Sequence, residues 1–186
     1  MRIIGGTLKG RKFYPPADKW PTRPTTDYAK EGLYNILQNR IDFEETRMLD
    51  LFGGTGNQSF EAISRGCQDV TYVDKHRPAV RFAKQTAAEF DIADSIKVIT
   101  MDVKRFIKIN HDPWDYIFAG PPYPLPWLDQ IPNLVFENKL VAEYGLFVLE
   151  HNPKHNFEEH PNFKSIRSYG QTKFSFFKNI LEKTTD

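Results

Sequence analysis

Between residues 48 and 151, short apolar runs alternate with segments in which apolar residues recur every three or four positions. The short runs predict β-strands: MLDLF, DVTYVD, SIKVIT, WDYIFA and GLFVLEH. The segments between them predict helices: NQSFEAISRG, RPAVRFAKQTAAEF, VKRFIKI and PWLDQIPNLVFENKL. Such an alternation indicates right-handed β-α-β units, which build a parallel sheet with helices on both faces.

The two ends of the chain have a different pattern. MRIIGG and GRKFYPP predict two short strands joined through glycines as a hairpin. After a proline-punctuated loop, TTDYAKEGLYNILQNRI predicts a helix with Thr25 or Thr26 as its N-cap. Near the other end, FKSIRSYG and TKFSFFKNI flank a glycine turn and predict an antiparallel hairpin at a sheet edge.

The composition fits one domain with a core. The chain has 186 residues, of which 40% are hydrophobic, and a single cysteine, so it forms no intramolecular disulfide. The first residues are basic and lack the long apolar stretch of a signal peptide, and no segment approaches membrane-spanning length. We expect a cytoplasmic protein without a membrane partner. The five histidines and Cys67 lack metal-ligand spacing, so we expect no metal.

Charge is distributed unevenly along the chain. Residues 1–40 contain eight Lys or Arg and three acidic residues, a net +5, whereas the remaining residues sum to −4. A basic segment on a slightly acidic body indicates a polyanionic partner, with Lys9, Arg11 and Lys12 as the predicted phosphate contacts. A solvated leader segment would have the same charge, so charge alone leaves both interpretations open.

The glycine turn after the first strand predicts a nucleoside site. In LDLFGGTGNQSFEA, glycines follow Asp50 and Phe52, and Gly54 and Gly56 let a ligand approach the backbone. Asp74 ends the next strand, where a carboxylate accepts hydrogen bonds from both ribose hydroxyls. Asp102 follows the third strand, at the expected place of an adenine edge. A tight turn that binds no ligand would contain the same glycines.

The turn differs from a dinucleotide fingerprint. It has the pattern D-x-F-x-G-x-G, and Ser59 occupies the place of the third glycine. Asp50 would repel a pyrophosphate but would suit a cationic methionine group. These features disfavour NAD and favour S-adenosylmethionine, which carries that group and no phosphate.

A second candidate site follows the fourth predicted strand, in IFAGPPYPLPW. In a doubly wound sheet, this loop and the glycine turn face each other across the switch in strand order. The carbonyl of Pro121 can accept from an exocyclic amine, and Tyr123 can stack on a base swung out of its helix. The alternative is a rigid turn with Tyr123 in the core.

Six segments carry a resemblance over nearly the whole chain: MRIIGG, GRKF, RPTTDYAKEGLYN, MLDLFGGTGNQSFEAISRG, DYIFAGPPY and YGQTKFSFF. The chain resembles the RsmD family of 16S ribosomal RNA guanine-N2 methyltransferases. The resemblance implies a class I, Rossmann-like methyltransferase: an α/β, doubly wound, mostly parallel seven-strand sheet, here with a small N-terminal hairpin and helix. It also implies S-adenosylmethionine as the donor and a guanine of the small-subunit RNA as the acceptor.

The resemblance assigns roles only where residues match the family. For the cofactor these are Asp50, Gly54, Gly56 and Asp74, for the target base Pro121, Pro122 and Tyr123, and for closure over RNA Arg23 and Thr26. We expect a basic RNA-facing extension at 1–40, a methyltransferase domain at 41–186, and a monomer that acts on 16S RNA or the small ribosomal subunit.

The chain departs from the family at three positions. Gly120 stands where the family has Asp or Asn before Pro-Pro-Tyr, and Tyr28 and Lys30 stand where relatives often carry arginine. We interpret these changes as bearing on substrate handling. Because positioning supplies much of the rate, we expect a weakened enzyme, or one that uses water or another carboxylate. Glu150, at the end of the fifth predicted strand, could be that carboxylate, but we favour a structural capping role for it. Two alternatives stay open: a non-catalytic RNA-binding relative, and an amino methyltransferase acting on DNA or protein.

Overall fold

The structure is a computed structural model that describes residues 1–16, 20 and 25–179. The helices in these ranges are α1 (Asp27–Leu37), α2 (Asn57–Ser64), α3 (Arg77–Glu89), α4 (Val103–Ile109) and α5 (Ile131–Glu137). The strands are β1 (Arg47–Leu51), β2 (Asp69–Asp74), β3 (Ile96–Thr100), β4 (Trp114–Ala119), β5 (Val141–His151), β6 (Phe163–Tyr169) and β7 (Thr172–Lys178).

The strands form one sheet in the order β3-β2-β1-β4-β5-β7-β6. Strands β1 to β5 are parallel, and β7 and β6 complete the sheet as an antiparallel hairpin at its edge. The predicted fold class is therefore confirmed. The strand order reverses between β1 and β4, so a crevice opens beyond the carboxyl ends of these two strands.

Both faces of the sheet are covered, because successive residues of a strand point to opposite faces. On one face, Tyr116 and Phe118 of β4 pack in a core cluster with α1, α2 and α3. On the other face, Ile117 and Ala119 pack in a second cluster with α4 and α5. Burial on both faces explains why the parallel strands are continuous apolar runs in the sequence.

Two polar caps and one proline fix where three helices begin. Thr26 is the N-cap of α1, since its hydroxyl accepts from the Ala29 N–H at 3.2 Å. Asp102 caps α4 in the same way through the Arg105 N–H at 3.2 Å. Pro78 lies in the first turn of α3, where a missing N–H costs nothing. Helices α3 and α4 follow β2 and β3 directly, so both begin at the carboxyl edge of the sheet.

The prediction of two paired strands at the N-terminus is wrong about the length of the pairing. The segment makes a single antiparallel bridge, Arg2 to Lys12, rather than a ladder. Gly6 and Gly10 have φ values of 74° and 86°, which turn the chain before further pairing can form. The N–H groups of Ile4 and the following glycine donate instead to the carboxylate of a helix α2 residue.

That carboxylate belongs to Glu61, which is fully buried. It accepts from the Ile4 N–H at 2.9 Å and the Gly5 N–H at 2.8 Å, and it pairs with Lys30 Nζ and Arg65 Nε, each at 3.0 Å. The same contacts join the N-terminal segment, α1 and α2.

Lys30 is 1% exposed, so it faces the protein interior and not a substrate. Our interpretation of Lys30 as a substrate-handling residue is therefore wrong. Its ammonium also donates to the Arg2 carbonyl at 2.7 Å and to Asn57 Oδ1 at 2.8 Å. Burial lowers the pKa of Lys30, and the charge of Glu61 opposes that shift. The ammonium is held by three acceptors on two segments, the N-terminal segment and helix α2.

Neutralising Glu61 should destabilise the fold strongly. Glu61→Gln keeps the shape but leaves the Lys30 ammonium buried beside a neutral amide, so we expect a loss of about 3–5 kcal/mol in urea unfolding. The matched control is Asp69→Asn, which removes a half-exposed pair with Arg47 and should cost less than about 1 kcal/mol. Equal midpoints for Glu61→Gln and Asp69→Asn would contradict this account of the buried pair.

Candidate active site

Two adjoining cavities open at the carboxyl edge of the sheet, and Phe52 lines both. The larger cavity, of about 380 Å³, is lined by Phe52, Asp74, Lys75, His76, Asp102, Val103, Pro122, Pro124, Leu125, Pro126 and Trp127. The smaller one, of about 40 Å³ and here called the cleft, is lined by Thr25, Asp50, Phe52, Gly53, Gly54, Thr55, Asn57, Gln58, Phe118, Gly120 and Glu150. The two predicted sites are therefore neighbours.

The glycine turn between β1 and α2 is shaped by backbone strain and close packing. Phe52 has a φ of 62°, an unusual conformation for a bulky residue, and its ring packs on Trp127 at 5.8 Å between centroids. Gly56 has a φ of 77°, and a Cβ there would lie 2.5 Å from the Phe60 ring. A larger residue at 56 would displace the first turn of α2.

Asp74 orders the same turn from the end of β2. Its Oδ2 accepts from the Gly54 N–H at 2.9 Å, and its Oδ1 accepts from the His76 N–H at 2.7 Å. The side chain borders the larger cavity, and a carboxylate has about four lone-pair positions. Asp74 therefore keeps acceptor capacity for a ligand hydroxyl while it fixes the glycine turn.

Asp50 ends up inside the protein, 1% exposed at the floor of the cleft. Burial raises the pKa of Asp50 to about 7, while hydrogen bonds from Ser59 oppose the shift and the charge of Asp74 adds to it. The Ser59 hydroxyl donates to Asp50 Oδ2 at 2.6 Å. From the sequence, Ser59 was interpreted only as a missing glycine, whereas it fixes this carboxylate.

One wall of the larger cavity was missed in the sequence. Pro124, Leu125, Pro126 and Trp127 follow the Pro-Pro-Tyr loop and line this cavity. The second candidate site was quoted as IFAGPPYPLPW, but no role was given to these four residues, and Pro126 and Trp127 were assigned to a helix. Asp102 lies at the rim, where it caps α4 and pairs with Lys75 at 3.6 Å, and its adenine-edge role stays a prediction.

The Gly-Pro-Pro-Tyr loop follows β4, with Gly120 lining the cleft and Pro122 lining the larger cavity. The Gly120 N–H donates to the Leu51 carbonyl at 3.2 Å, which ties the loop to β1. Pro121 is buried, whereas Pro122 and Tyr123 are half-buried. Tyr123 lies outside both core clusters, and its hydroxyl is 3.4 Å from Glu150 Oε1. Tyr123 therefore lies outside the core and contacts Glu150, which lines the cleft.

Thr25 closes the cleft from the opposite side, a role that the sequence did not indicate. Its hydroxyl donates to Glu150 Oε2 at 2.5 Å and accepts from Gln58 Nε2 at 3.3 Å. Its carbonyl accepts from Asn57 Nδ2 at 3.3 Å. Thr25 thus connects the start of α2 to the end of β5.

The predicted RNA contacts are spread over the molecule. Lys9, Arg11 and Lys12 are all exposed, and Arg11 also lies over the Phe90 ring at 4.6 Å, at the end of α3. That end of α3 is at the amino edge of the sheet, opposite the cleft. Thr26 caps α1, and Arg23 lies outside the described residues. The RNA-binding roles of all these residues stay predictions.

Other chemistry is limited in the part of the chain that the structure describes. Within residues 1–16, 20 and 25–179, no group of three or more His, Cys, Asp or Glu side chains could hold a metal ion. Burial raises the pKa of Cys67 to about 11, so its thiol is a poor nucleophile. No helix in the same ranges is long and apolar enough to cross a membrane.

Comparison with known proteins identifies the family. A family model described as "Conserved hypothetical protein 95" matches residues 1–178. The putative rRNA methyltransferase YlbH of Bacillus subtilis is 32% identical over 155 residues, which covers 82% of this chain and 83% of that protein. Ribosomal RNA small subunit methyltransferase D of Escherichia coli K12 is 31% identical over 150 residues, which covers 81% and 74% of the two chains. The chain belongs to the RsmD family.

A solved structure of an RsmD-like fold agrees with this assignment. The putative methyltransferase yhhF from Escherichia coli superposes with a TM-score of 0.84 at 25% identity, covering 98% of this chain and 99% of that one. The resemblance inferred from the sequence is thus confirmed, and it extends over the N-terminal segment as well as the sheet.

Asp50 should make stability depend on pH. Its pKa is about 7 in the folded chain and 3.8 in the unfolded reference, so the folded chain binds more protons between pH 4 and pH 7. The free energy of unfolding should therefore fall as the pH rises through this window, by at most about 4 kcal/mol from this group. Urea unfolding at several pH values measures the slope. Asp50→Asn should flatten it, the exposed Asp94→Asn should not, and identical slopes in both would refute the assignment.

Proposed function

We propose that this RsmD-family chain transfers a methyl group from S-adenosylmethionine to the exocyclic N2 amine of a guanine in 16S ribosomal RNA. The observation that carries the proposal is the junction at Phe52. There, a nucleoside-sized cavity bordered by Asp74 and Pro122 meets a cleft bordered by Gly120. A methyl donor and an acceptor amine can thus be brought next to each other.

The larger cavity suits the nucleoside part of the donor. Leu125, Trp127 and neighbouring prolines offer flat apolar surface for adenine, and Asp74 offers a carboxylate to the ribose hydroxyls. Asp50 faces the cleft beside the glycine turn, where a cationic methionine group would lie. A cationic group at that place would favour the ionised form of Asp50, whereas a pyrophosphate would add further negative charge beside it.

The cleft is too small, as it stands, to hold both the methionine group of the donor and a base. Its volume of about 40 Å³ holds roughly three water molecules. A guanine swung out of its helix must therefore widen the cleft by displacing a side chain. Tyr123 is the side chain to move, because its 3.4 Å contact with Glu150 is long and its ring can then stack on the base.

Residues 1–40 are proposed as the RNA-facing extension of a methyltransferase domain formed by 41–186. The two parts share one core, since Ile3 and Phe13 pack with α2 and α3, so the division is one of function. The basic residues Lys9, Arg11 and Lys12 lie near the amino end of β1, whereas the cleft lies at its carboxyl end. Strand β1 has five residues, so the two places are about 17 Å apart. An RNA helix spans that distance, so one small-subunit RNA can contact both places.

A second function is favoured by one observation only. Gly120 lacks the side chain with which the family addresses the target amine. A non-catalytic RNA-binding relative would keep the fold and lack that acceptor. The donor cavity, the glycine turn and the Pro-Pro-Tyr loop are all present, however, which supports the catalytic function.

Methyl transfer from labelled S-adenosylmethionine tests the function directly. The acceptors are small-subunit particles and naked 16S RNA from a strain that lacks this gene, and sedimentation of the chain alone reports whether it is monomeric. We expect label on the N2 of one guanine. RNA and donor binding without transfer would favour the non-catalytic alternative, and label on DNA or protein alone would reject the RNA substrate.

Asp74 should govern donor affinity. Asp74→Asn retains an acceptor oxygen for one backbone N–H but loses the charge and the second acceptor. We expect at least about a tenfold weaker affinity for S-adenosylmethionine in calorimetry. Asp69→Asn, at the other end of the same strand β2, is the matched control and should bind as the parent does. Unchanged affinity in Asp74→Asn would reject this nucleoside site.

Two exposed lysines should contribute to RNA binding through phosphates. Changing Lys9 and Lys12 to Ala should weaken binding to 16S RNA and lower the slope of log affinity against log salt by about 2. Arg11 is kept, because its guanidinium lies over Phe90 and also packs the fold. Donor affinity, measured in parallel, should not change. An unchanged salt slope would favour the alternative interpretation, in which residues 1–40 are a solvated leader segment that does not bind RNA.

A further inference from the structure

Glu150 lies beside position 120, where members of the family carry the Asp or Asn that binds the target amine. Strands β4 and β5 are parallel and in register at Ala119 and Leu149. The next positions in this register are Gly120 and Glu150. Registered residues on neighbouring parallel strands point to the same face, about 4.8 Å apart. The Glu150 side chain is therefore on the face from which a side chain at position 120 would project.

The Glu150 carboxylate is held at the cleft by donors on both of its oxygens. It is 5% exposed and lines the cleft together with Gly120. The Thr25 hydroxyl donates to Oε2 at 2.5 Å, and the Tyr123 hydroxyl is 3.4 Å from Oε1. Donors on both oxygens suit an acceptor group, and they orient it before a substrate arrives.

The backbone does not explain the glycine at position 120. The φ of Gly120 lies outside the left-handed region, so an L side chain would fit the backbone. A Cβ at this position would lie 3.0 Å from the ring of Phe118, which is 2% exposed. An aspartate there would also add a second carboxylate beside Glu150. Glycine at 120 therefore leaves the space that the Glu150 carboxylate faces.

We propose that Glu150 is the catalytic acceptor for the target amine, in place of a side chain at position 120. This inference rests on the proposed function. As the bond between N2 and the methyl carbon forms, the bond between that carbon and the sulfonium sulfur breaks. S-adenosylhomocysteine leaves with the sulfur electron pair. The proton lost from N2 passes to the Glu150 carboxylate and then to water.

Thr25 acts as the positioning residue for this acceptor. Its hydroxyl keeps Oε2 in place, while Gln58 and Asn57 hold Thr25 itself at 3.3 Å each. The long contact from Tyr123 to Oε1 is the one that an entering guanine replaces. Tyr123 then stacks on the base whose amine has taken its place at Glu150. One movement of Tyr123 thus opens the cleft and exposes the acceptor.

The decisive experiment moves the carboxylate from one strand to the other. Single-turnover methyl transfer to 16S RNA is measured for the parent, Glu150→Gln, Gly120→Asp and the double variant. Gln keeps the length of the side chain but cannot take a proton, so Glu150→Gln should be about 10- to 150-fold slower. Gly120→Asp alone should give no gain. In the Glu150→Gln background, Gly120→Asp should restore at least about tenfold of the rate.

Three controls separate catalysis from structure. Glu143→Gln makes the same change at an exposed position near the start of the same strand, and its rate should equal that of the parent. Thr25→Ser keeps the hydroxyl and should retain the rate, whereas Thr25→Val should lower it. Donor affinity and melting temperature are measured for every variant, and both should stay near the parent values for Glu150→Gln.

Each contrary outcome identifies what has failed. Equal transfer by the parent and Glu150→Gln overturns the role of Glu150 and leaves the proposed function standing. A large gain for Gly120→Asp alone shows that the parent lacks an acceptor, and this also overturns it. A slow Glu150→Gln that Gly120→Asp does not rescue assigns Glu150 to structure. A parent that binds donor and RNA without transfer contradicts the proposed function and this inference together.

Discussion

The buried carboxylate of Glu61 is the contact on which the arrangement of the site depends. It binds two N-terminal backbone N–H groups and the Lys30 ammonium, and so replaces in the interior the hydration that it loses. Lys30 in turn donates to Asn57, and Asn57 holds the carbonyl of Thr25. Thr25 fixes Glu150. A continuous chain of polar contacts therefore leads from the interior of the fold to the cleft.

Three carboxylates meet at the carboxyl edge of the sheet, and each has separate donors. Asp50 has Ser59, Asp74 has two backbone N–H groups, and Glu150 has Thr25 and Tyr123. The raised pKa of Asp50 shows that its hydrogen-bond donors do not fully offset the effects of burial and of the neighbouring negative charge. A cationic methyl donor that binds between these carboxylates would supply positive charge. The acidic edge thus favours a sulfonium ligand over a phosphate.

The sheet, its strand order and the two neighbouring loops could be predicted from the sequence. The spacing of apolar residues and the glycine turns are signals that lie within the segments themselves. Asp74 and the Gly-Pro-Pro-Tyr loop could be placed because parallel strands end at one edge. The burial of Lys30 could not, because its partner Glu61 lies on another helix and leaves no mark near Lys30 in the sequence. The short hairpin and the bracing by Thr25 also depend on distant contacts, with Glu61 and Glu150 respectively.

The motif position on β4 marks where a hydrogen-bond acceptor is needed in the cleft. A residue from another strand can place an acceptor at the same point. Gly120 breaks the family pattern on β4, yet the neighbouring strand presents Glu150 to the same face of the sheet. The extra methylene of glutamate offsets part of the distance between the strands, and no side chain at position 120 occupies the space between them. Loss of an acceptor in the motif therefore does not imply loss of an acceptor in the cleft. In this fold, the register between β4 and β5 determines which residue can supply it.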